Sequence, residues 1–133
     1  MFFCRRYVAG LRVLASRRLY RTHLLENTPQ ARGLRLLRSW LSPKQRAQFD
    51  AEGQFDVIGS DSGKHYRIRY GTSANVYEVG QAGRPGAGWC FVPIGGLVAG
   101  DVMLAQKIAL ETSETSALAV GNKLPTYSGR GQI

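Results

Sequence analysis

The sequence predicts an α+β domain: N-terminal helices, a four-stranded antiparallel meander and a C-terminal helix packed on the sheet. Three observations support this. Proline follows a hydroxyl residue at Thr28-Pro29 and Ser42-Pro43, which is typical of helix starts. From Gln54 onward, apolar and polar residues alternate with the period of a strand, and after Gly100 the apolar spacing becomes three to four residues. A length of 133 residues fits one domain with one core.

Two helices are predicted before the sheet. Thr28 caps the first, and Ser42 caps the second, where Gln45 has the spacing of a capping box. Gly53 marks the end of the second helix. The first helix has an apolar stripe that consists of Leu34, Leu37 and Leu41. Leucines at this spacing predict a core-facing surface.

Four short runs predict the strands of the meander, and they cover residues 55–58, 66–70, 75–79 and 89–92. The segment 59–63 is rich in Gly, Ser and Asp, which indicates a hairpin turn. In the second strand, Tyr66, Ile68 and Tyr70 share one face and are predicted to be buried. Pro93 is expected to end the sheet, because proline has no amide hydrogen to donate.

The C-terminal helix is predicted over 101–111, after the Gly95-Gly96 turn. Asp101 is expected to cap it. The predicted buried face comprises Ala105, Ile108, Ala109 and Thr112, with Leu104 beside them. Thr112-Ser113 is expected to cap a further short helix that ends at Val120, before Gly121.

The charge of +9 is concentrated at the N-terminus. Residues 1–38 contain nine arginines and one acid, for a net charge of +8, whereas residues 39–133 contain nine basic and eight acidic residues, for a net charge of +1. The sequence therefore predicts a basic arm over 1–27, one folded domain over 28–122 and a flexible tail over 123–133. Such a charge asymmetry favours an anionic partner.

Two groups of basic residues are candidates for contact with nucleic acid, another polyanion or an acidic protein surface. The arm supplies Arg5, Arg6, Arg12, Arg17, Arg18 and Arg21. The outward face of the second strand and the turn before it supply Lys64, Arg67 and Arg69. Arginine-rich segments give sequence-independent attraction to phosphates. Three alternatives for the arm remain open: an organelle transit peptide, a mobile tail, or an extension from an upstream start codon.

Several functional classes lack sequence support. Cys4 and Cys90 have neither a CxxC partner nor a nearby Cys/His set, so we expect no disulfide framework, no metal site and a reduced intracellular setting. Cys90 is expected to be a small buried residue, and His65 is expected to face solvent. No motif predicts a cofactor or fixes a reaction, and no apolar run has the ~20 residues that span a bilayer.

A resemblance extends over about residues 34–122. The segments that carry it are 55–64, Tyr66-Arg67-Ile68, Asn75-Val76, 89–93 and 100–107. Together they resemble a family of short bacterial proteins of unknown function. The resemblance implies a bacterial and cytoplasmic location, with organelle targeting as the alternative if the arm is a transit peptide. It implies no activity, ligand or catalytic residue.

Three functional hypotheses follow. The first is a non-enzymatic binding or adaptor protein whose arm contacts a polyanion. The second is a small-molecule-binding protein or enzyme with a site between helix 101–111 and the sheet, near Trp89, Cys90 and the Gly95-Gly96 turn. The third is a subunit of a larger assembly, in which Trp40 or Tyr77 is exposed until a partner covers it. The sequence does not predict an oligomeric state.

Overall fold

A computed structural model describes residues 27–71, 74–91 and 95–124. Within these residues, the helices are α1 (Pro29–Trp40), α2 (Pro43–Glu52) and α3 (Ala99–Val120). The strands are β1 (Gln54–Ile58), β2 (His65–Arg69), β3 (Val76–Val79), β4 (Pro85–Cys90) and β5 (Asn122–Lys123). The fold is therefore α+β, as the sequence predicts.

The strands form one antiparallel sheet in the order β1-β2-β3-β4-β5. The first four form the predicted meander. The fifth strand corrects the prediction of four: Asn122 and Lys123 return from α3 and pair with Cys90 and Trp89. Propensity could not find this strand, because it is two residues long and is defined by its pairing with β4. The predicted tail of 123–133 thus begins inside a strand, and residues 125–133 lie outside the described ranges.

The two N-terminal helices begin where the sequence predicts. Thr28 Oγ1 accepts a hydrogen bond from the amide of Ala31 at 3.1 Å. Ser42 and Gln45 form the reciprocal capping box, with bonds of 3.0 and 3.2 Å. Gly53 ends α2 with φ of 70°, a left-handed conformation that favours glycine.

One core joins α1, α2, α3 and the inner face of the sheet. It contains Leu34, Leu37, Leu41, Phe49, Phe55, Val57, Tyr66, Ile68, Val76, Trp89, Met103, Leu104, Leu110 and Ala117. Helices α1 and α3 approach closely where Gly33 meets Gly100. A Cβ atom on Gly100 would lie 2.2 Å from the carbonyl carbon of Gly33. The absence of both side chains at this crossing lets the two helices share the core.

Helix α2 covers the outer edge of the sheet through two glutamine side chains. Gln48 Oε1 accepts from the amide of Asp56 at 3.1 Å, and Gln45 Nε2 donates to the carbonyl of Asp56 at 2.9 Å. The amide and the carbonyl at the middle of edge strand β1 are therefore both satisfied by side chains.

Helix α3 differs from its prediction in its start and in its buried face. It begins after Val98, and Asp101 lies in the first turn instead of at the cap. The buried residues are Gly100, Met103, Leu104, Gln106, Lys107, Leu110, Glu114 and Ala117. Of the predicted face, Leu104 is buried and Ala109 is half-buried, whereas Ala105, Ile108 and Thr112 are exposed. The apolar period misleads here because the buried face carries polar residues.

The helix is interrupted at Ser113, whose backbone is non-helical (φ −149°, ψ 50°). This break falls where the sequence predicts a new helix start. The predicted end is also correct, since α3 stops at Val120 and Gly121 follows.

Two strand predictions need correction. Strand β4 begins at Pro85, before the predicted start at residue 89, because Pro85 pairs with Val79 of β3 across a register irregularity. Pro85 is tolerated as the first residue of the strand, where a missing donor does least harm. Tyr70 lies beyond the end of β2 and is exposed, so its predicted burial is wrong, whereas Tyr66 and Ile68 are buried as predicted.

Candidate functional site

A concave site of about 510 Å³ lies between the start of α3 and one end of the sheet. We name it the Arg69 cavity. The described residues that line it are Gln30, Arg69, Tyr70, Gly71, Asn75, Phe91, Gly95, Leu97, Val98, Ala99, Val102 and Met103. They come from α1, the end of β2, the segments flanking β3 and β4, and the first turns of α3. Most of these side chains are apolar, and the polar ones come from Gln30, Arg69, Tyr70 and Asn75.

Asn75 fixes one wall of the cavity. Its Oδ1 accepts from the amide of Phe91 at 2.8 Å, and its Nδ2 donates to the carbonyls of Phe91 at 2.8 Å and Gly71 at 3.0 Å. Gln106 Nε2 also donates to the Phe91 carbonyl, at 3.0 Å. Among the described residues, Gln106 Oε1 is buried and has no hydrogen-bond partner. Asn75 is fully buried, so its hydrogen bonds fix the backbone of Gly71 and Phe91 on this wall of the cavity from the protein interior.

Arg69 lines the cavity, and contacts with Ala74 and Tyr77 help to hold it in place. Its Nε donates to the carbonyl of Ala74 at 2.8 Å. Its Cζ lies 4.6 Å from the ring centroid of Tyr77, a cation–π distance. These contacts orient the guanidinium of Arg69, which belongs to the row of three basic residues that the sequence predicts to contact a polyanion.

The other two residues of that row have acidic partners within the domain. Arg67 donates to both carboxylate oxygens of Asp56, at 2.6 and 3.0 Å. Burial opposes ionisation of Asp56, but the hydrogen bond and charge of Arg67, together with the hydrogen bond from Gln48, lower the pKa of Asp56 below its usual value. Lys64 is exposed, and its Nζ lies 3.8 Å from Glu78. The row exists, but the charge of Arg67 is largely balanced by Asp56.

The candidate residues of the basic arm lie outside the described ranges. They are Arg5, Arg6, Arg12, Arg17, Arg18 and Arg21. The structure therefore adds nothing to their predicted role.

The residues predicted near the small-molecule site divide into two groups. Gly95 lines the Arg69 cavity, and Gly96 lies beside it. Trp89 is instead buried in the core, where its ring lies 5.8 Å from that of Tyr66 in an edge-to-face arrangement. Cys90 is half-buried rather than buried, and its Sγ accepts from the amide of Ala74 at 3.3 Å. His65 is exposed, as predicted.

A second polar cluster surrounds Glu114, which is buried in α3 and only 2% exposed. Its Oε2 accepts from the amides of Asp61 and Ser62 at 2.8 and 2.7 Å, and its Oε1 accepts from Tyr66 Oη at 2.6 Å and from Ser62 Oγ. Gly59 makes room for the carboxylate, since a Cβ there would lie 2.3 Å from Glu114 Cδ.

Hydrogen bonding sets the ionisation of this cluster. Burial raises the pKa of Glu114, but bonds from Ser62, Tyr66 and the two loop amides bring it down to about 2. Burial, together with the bond to Glu114, raises the pKa of Tyr66 to about 12. Glu114 is therefore an anion with satisfied oxygens. The cluster joins the β1–β2 hairpin to α3, which is a structural role.

Neither a metal-ligand cluster nor a membrane-spanning helix is found among the described residues. No group of three or more His, Cys, Asp or Glu side chains there could hold a metal ion. Among the described helices, none has both the length and the apolar character needed to cross a bilayer.

The chain matches no protein-family model, no curated protein and no solved structure.

Proposed function

We propose that this protein binds a small organic molecule in the Arg69 cavity. The observation that carries the proposal is a concavity of about 510 Å³, within the range of roughly 300–1,000 Å³ typical of ligand pockets. It lies between the start of α3 and the sheet, close to the position that the second functional hypothesis predicts for a small-molecule site.

The lining indicates the chemistry of the ligand. Leu97, Val98, Val102 and Met103 form an apolar wall that fits an apolar body. The side chains of Gln30, Arg69 and Tyr70 carry the polar atoms that could orient a hydrogen-bonding or acidic group. A few polar groups around an apolar pocket are the usual means of fixing a ligand. We propose binding and no reaction.

A pair of alanine-to-leucine variants on α3 tests the proposal. Ala99 lines the cavity, whereas Ala105 lies on the exposed face of the same helix. A fragment library is screened by protein-observed NMR on the full chain. Fragments that bind should shift the signals of Tyr70, Val102 and Met103 and raise the melting temperature. Ala99→Leu should weaken both effects because its larger side chain narrows the cavity, and Ala105→Leu should retain both.

Two results would contradict the proposal. The first is a screen in which no fragment shifts the signals of the cavity residues. The second is fragment binding that survives Ala99→Leu with unchanged affinity.

Polyanion binding through the basic arm is the second candidate function, favoured by the net charge of +8 in residues 1–38. The test measures affinity for single-stranded RNA as a function of salt in the full chain. Glutamine replaces Arg5, Arg6, Arg12, Arg17, Arg18 and Arg21 in the variant. If all six arginines contact phosphates, the slope of log affinity against log salt should become shallower by about 4 in the variant. Salt-insensitive binding, or binding that the substitutions do not change, would reject this function.

A further inference from the structure

The lining of the Arg69 cavity carries charge of one sign. Among the described residues that form it, Arg69 is a cation and none is an acid. The other polar side chains there, those of Gln30, Tyr70 and Asn75, are neutral. Low-dielectric walls around charge of one sign strengthen its field inside a cleft. The charge of the ligand can therefore be inferred, and this inference rests on the proposed function, because it takes the cavity to be a binding site.

The acid in the first turn of α3 faces away from the cavity. Asp101 lies between Ala99 and Val102 in the sequence, and both of these line the cavity. Asp101 instead lines a neighbouring concavity of about 420 Å³ beside α1. Its Oδ1 lies 3.2 Å from the position that a Cβ atom on Gly33 would take. The carboxylate is thus turned toward α1, and it adds no negative charge to the lining of the Arg69 cavity.

The side chain of Arg69 is suited to an anionic group. A guanidinium has N–H donors and no acceptor, and it can pair with a carboxylate through two parallel hydrogen bonds. The Ala74 carbonyl and the Tyr77 ring, which help to orient it, are both neutral. Tyr77 is itself buried, so its ring is a fixed support for the guanidinium.

The remaining polar side chains favour a ligand group that accepts hydrogen bonds. Asn75 uses its Nδ2 donors on the carbonyls of Gly71 and Phe91. Contacts with a ligand therefore fall to Gln30, Arg69 and Tyr70. The Gln and Tyr side chains can donate or accept, whereas Arg69 can only donate.

The apolar wall limits how much negative charge the ligand can carry. It consists of Leu97, Val98, Val102 and Met103. A charge buried beside apolar groups is costly unless an opposite charge balances it. One guanidinium balances the single charge of a carboxylate, but not the charge of about 1.5 to 2 on a phosphate monoester. We infer that the Arg69 cavity binds a small monocarboxylic acid, with its carboxylate on Arg69 and its apolar body against the start of α3.

Matched sets of ligands test this inference. Each set keeps one apolar body and ends in a carboxylate, a primary amide or an amine, as in phenylacetate, phenylacetamide and phenethylamine; naphthyl and cyclohexyl sets extend the series. Dissociation constants are measured on the full chain from the NMR signals of Tyr70, Val102 and Met103. Arg69→Gln removes the cation of the cavity. Arg84→Gln is the matched control, at an exposed position outside the described lining.

The acid of a set should bind the wild type about tenfold more tightly than the amide, because charge-assisted hydrogen bonds are roughly twice as strong as neutral ones. The amine should bind most weakly. Arg69→Gln should remove the advantage of the acid and leave the affinity for the amide unchanged, which would also show that the cavity is intact in this variant. Arg84→Gln should change none of the three affinities.

Two outcomes would overturn the inference and leave the proposed function standing. The first is an amide or amine that binds the cavity of the wild type as tightly as the acid, a comparison that does not depend on the folding of any variant. The second is an acid that keeps its advantage in Arg69→Gln, because another cation would then hold the carboxylate. If neither these compounds nor any fragment of the screen shifts the cavity signals, the proposed function fails as well.

Discussion

Ser60 Oγ accepts a hydrogen bond from the backbone amide of Glu114 at 3.1 Å, across 54 residues of sequence. The amide of Ser60 donates in turn to the carbonyl of Leu110 at 3.0 Å. In a continuous helix, the Glu114 amide would bond to the Leu110 carbonyl itself. Ser60 therefore satisfies both groups that the break at Ser113 separates. Asp61 adds a second cap, accepting from the amide of Thr115 at 2.9 Å.

Replacement of Ser60 by alanine should destabilise the domain. The Glu114 amide would lose its acceptor, and loss of a helix cap costs about 1 kcal/mol. Urea denaturation measures the free energy of unfolding, and hydrogen exchange should become faster at the Glu114 amide. Ser116→Ala is the control, because Ser116 is exposed and lies in α3 about one turn after the break at Ser113. Equal destabilisation by both changes would contradict the capping role.

Replacement of Glu114 by glutamine should cost about 1–3 kcal/mol, because the side-chain amide would meet donors that now bond to a carboxylate. The two loop amides and the hydroxyls of Ser62 and Tyr66 all point toward the Glu114 oxygens. Calorimetry should show a lower melting temperature. Glu52→Gln, at an exposed position on α2, should change it little. A melting temperature that Glu114→Gln leaves unchanged would show that the Glu114 cluster does not stabilise the contact between the β1–β2 hairpin and α3.

Stability should also depend on acid through Glu114. Its pKa is lowered from 4.5 to about 2 in the folded protein, so the unfolded state binds a proton first as the pH falls. This contribution is fully present above about pH 4.5 and is lost as the pH falls toward 2. Unfolding free energy is measured across this range for the wild type and Glu114→Gln. The difference between them should shrink on acidification, and a constant difference would argue against ionised Glu114.

The helix crossing gives a test with opposite expectations at two glycines. Gly100→Ala should destabilise the domain by about 2 kcal/mol or more, because its Cβ would meet the backbone of Gly33, which cannot yield without moving α1. Gly96→Ala should be tolerated, since no atom lies within 4 Å of its Cβ position. Thermal unfolding of both variants provides the comparison. Equal melting temperatures would show that the helices can separate freely.

Local signals in the sequence were sufficient for the caps of α1 and α2 and for most strands. Thr28, Ser42 and Gly53 lie where the capping rules place them, because these interactions involve residues at most four apart. The face of α3 could not be predicted in the same way. Its buried residues include Lys107 and Glu114, whose polar partners come from α3 itself and from a distant hairpin. Periodicity measures apolarity and does not detect such partners.

The candidate site shows the same limit. The sequence predicts the Gly95-Gly96 turn to lie beside a possible small-molecule site, and Gly95 does line the Arg69 cavity. The lining from Gln30, Tyr70 and Phe91 could not be predicted, because these residues meet only when α1, β2 and β4 are assembled.

The two glutamines on edge strand β1 have a consequence for the behaviour of many copies together. An open strand edge is a template on which further chains can pair, and uncontrolled pairing leads to aggregation. Gln45 and Gln48 occupy the backbone groups of Asp56 from the side of α2. These side chains take the hydrogen bonds that an added strand would make with Asp56, so they hinder pairing of another chain with β1. Helix α2 thus protects this edge against aggregation in addition to packing in the core.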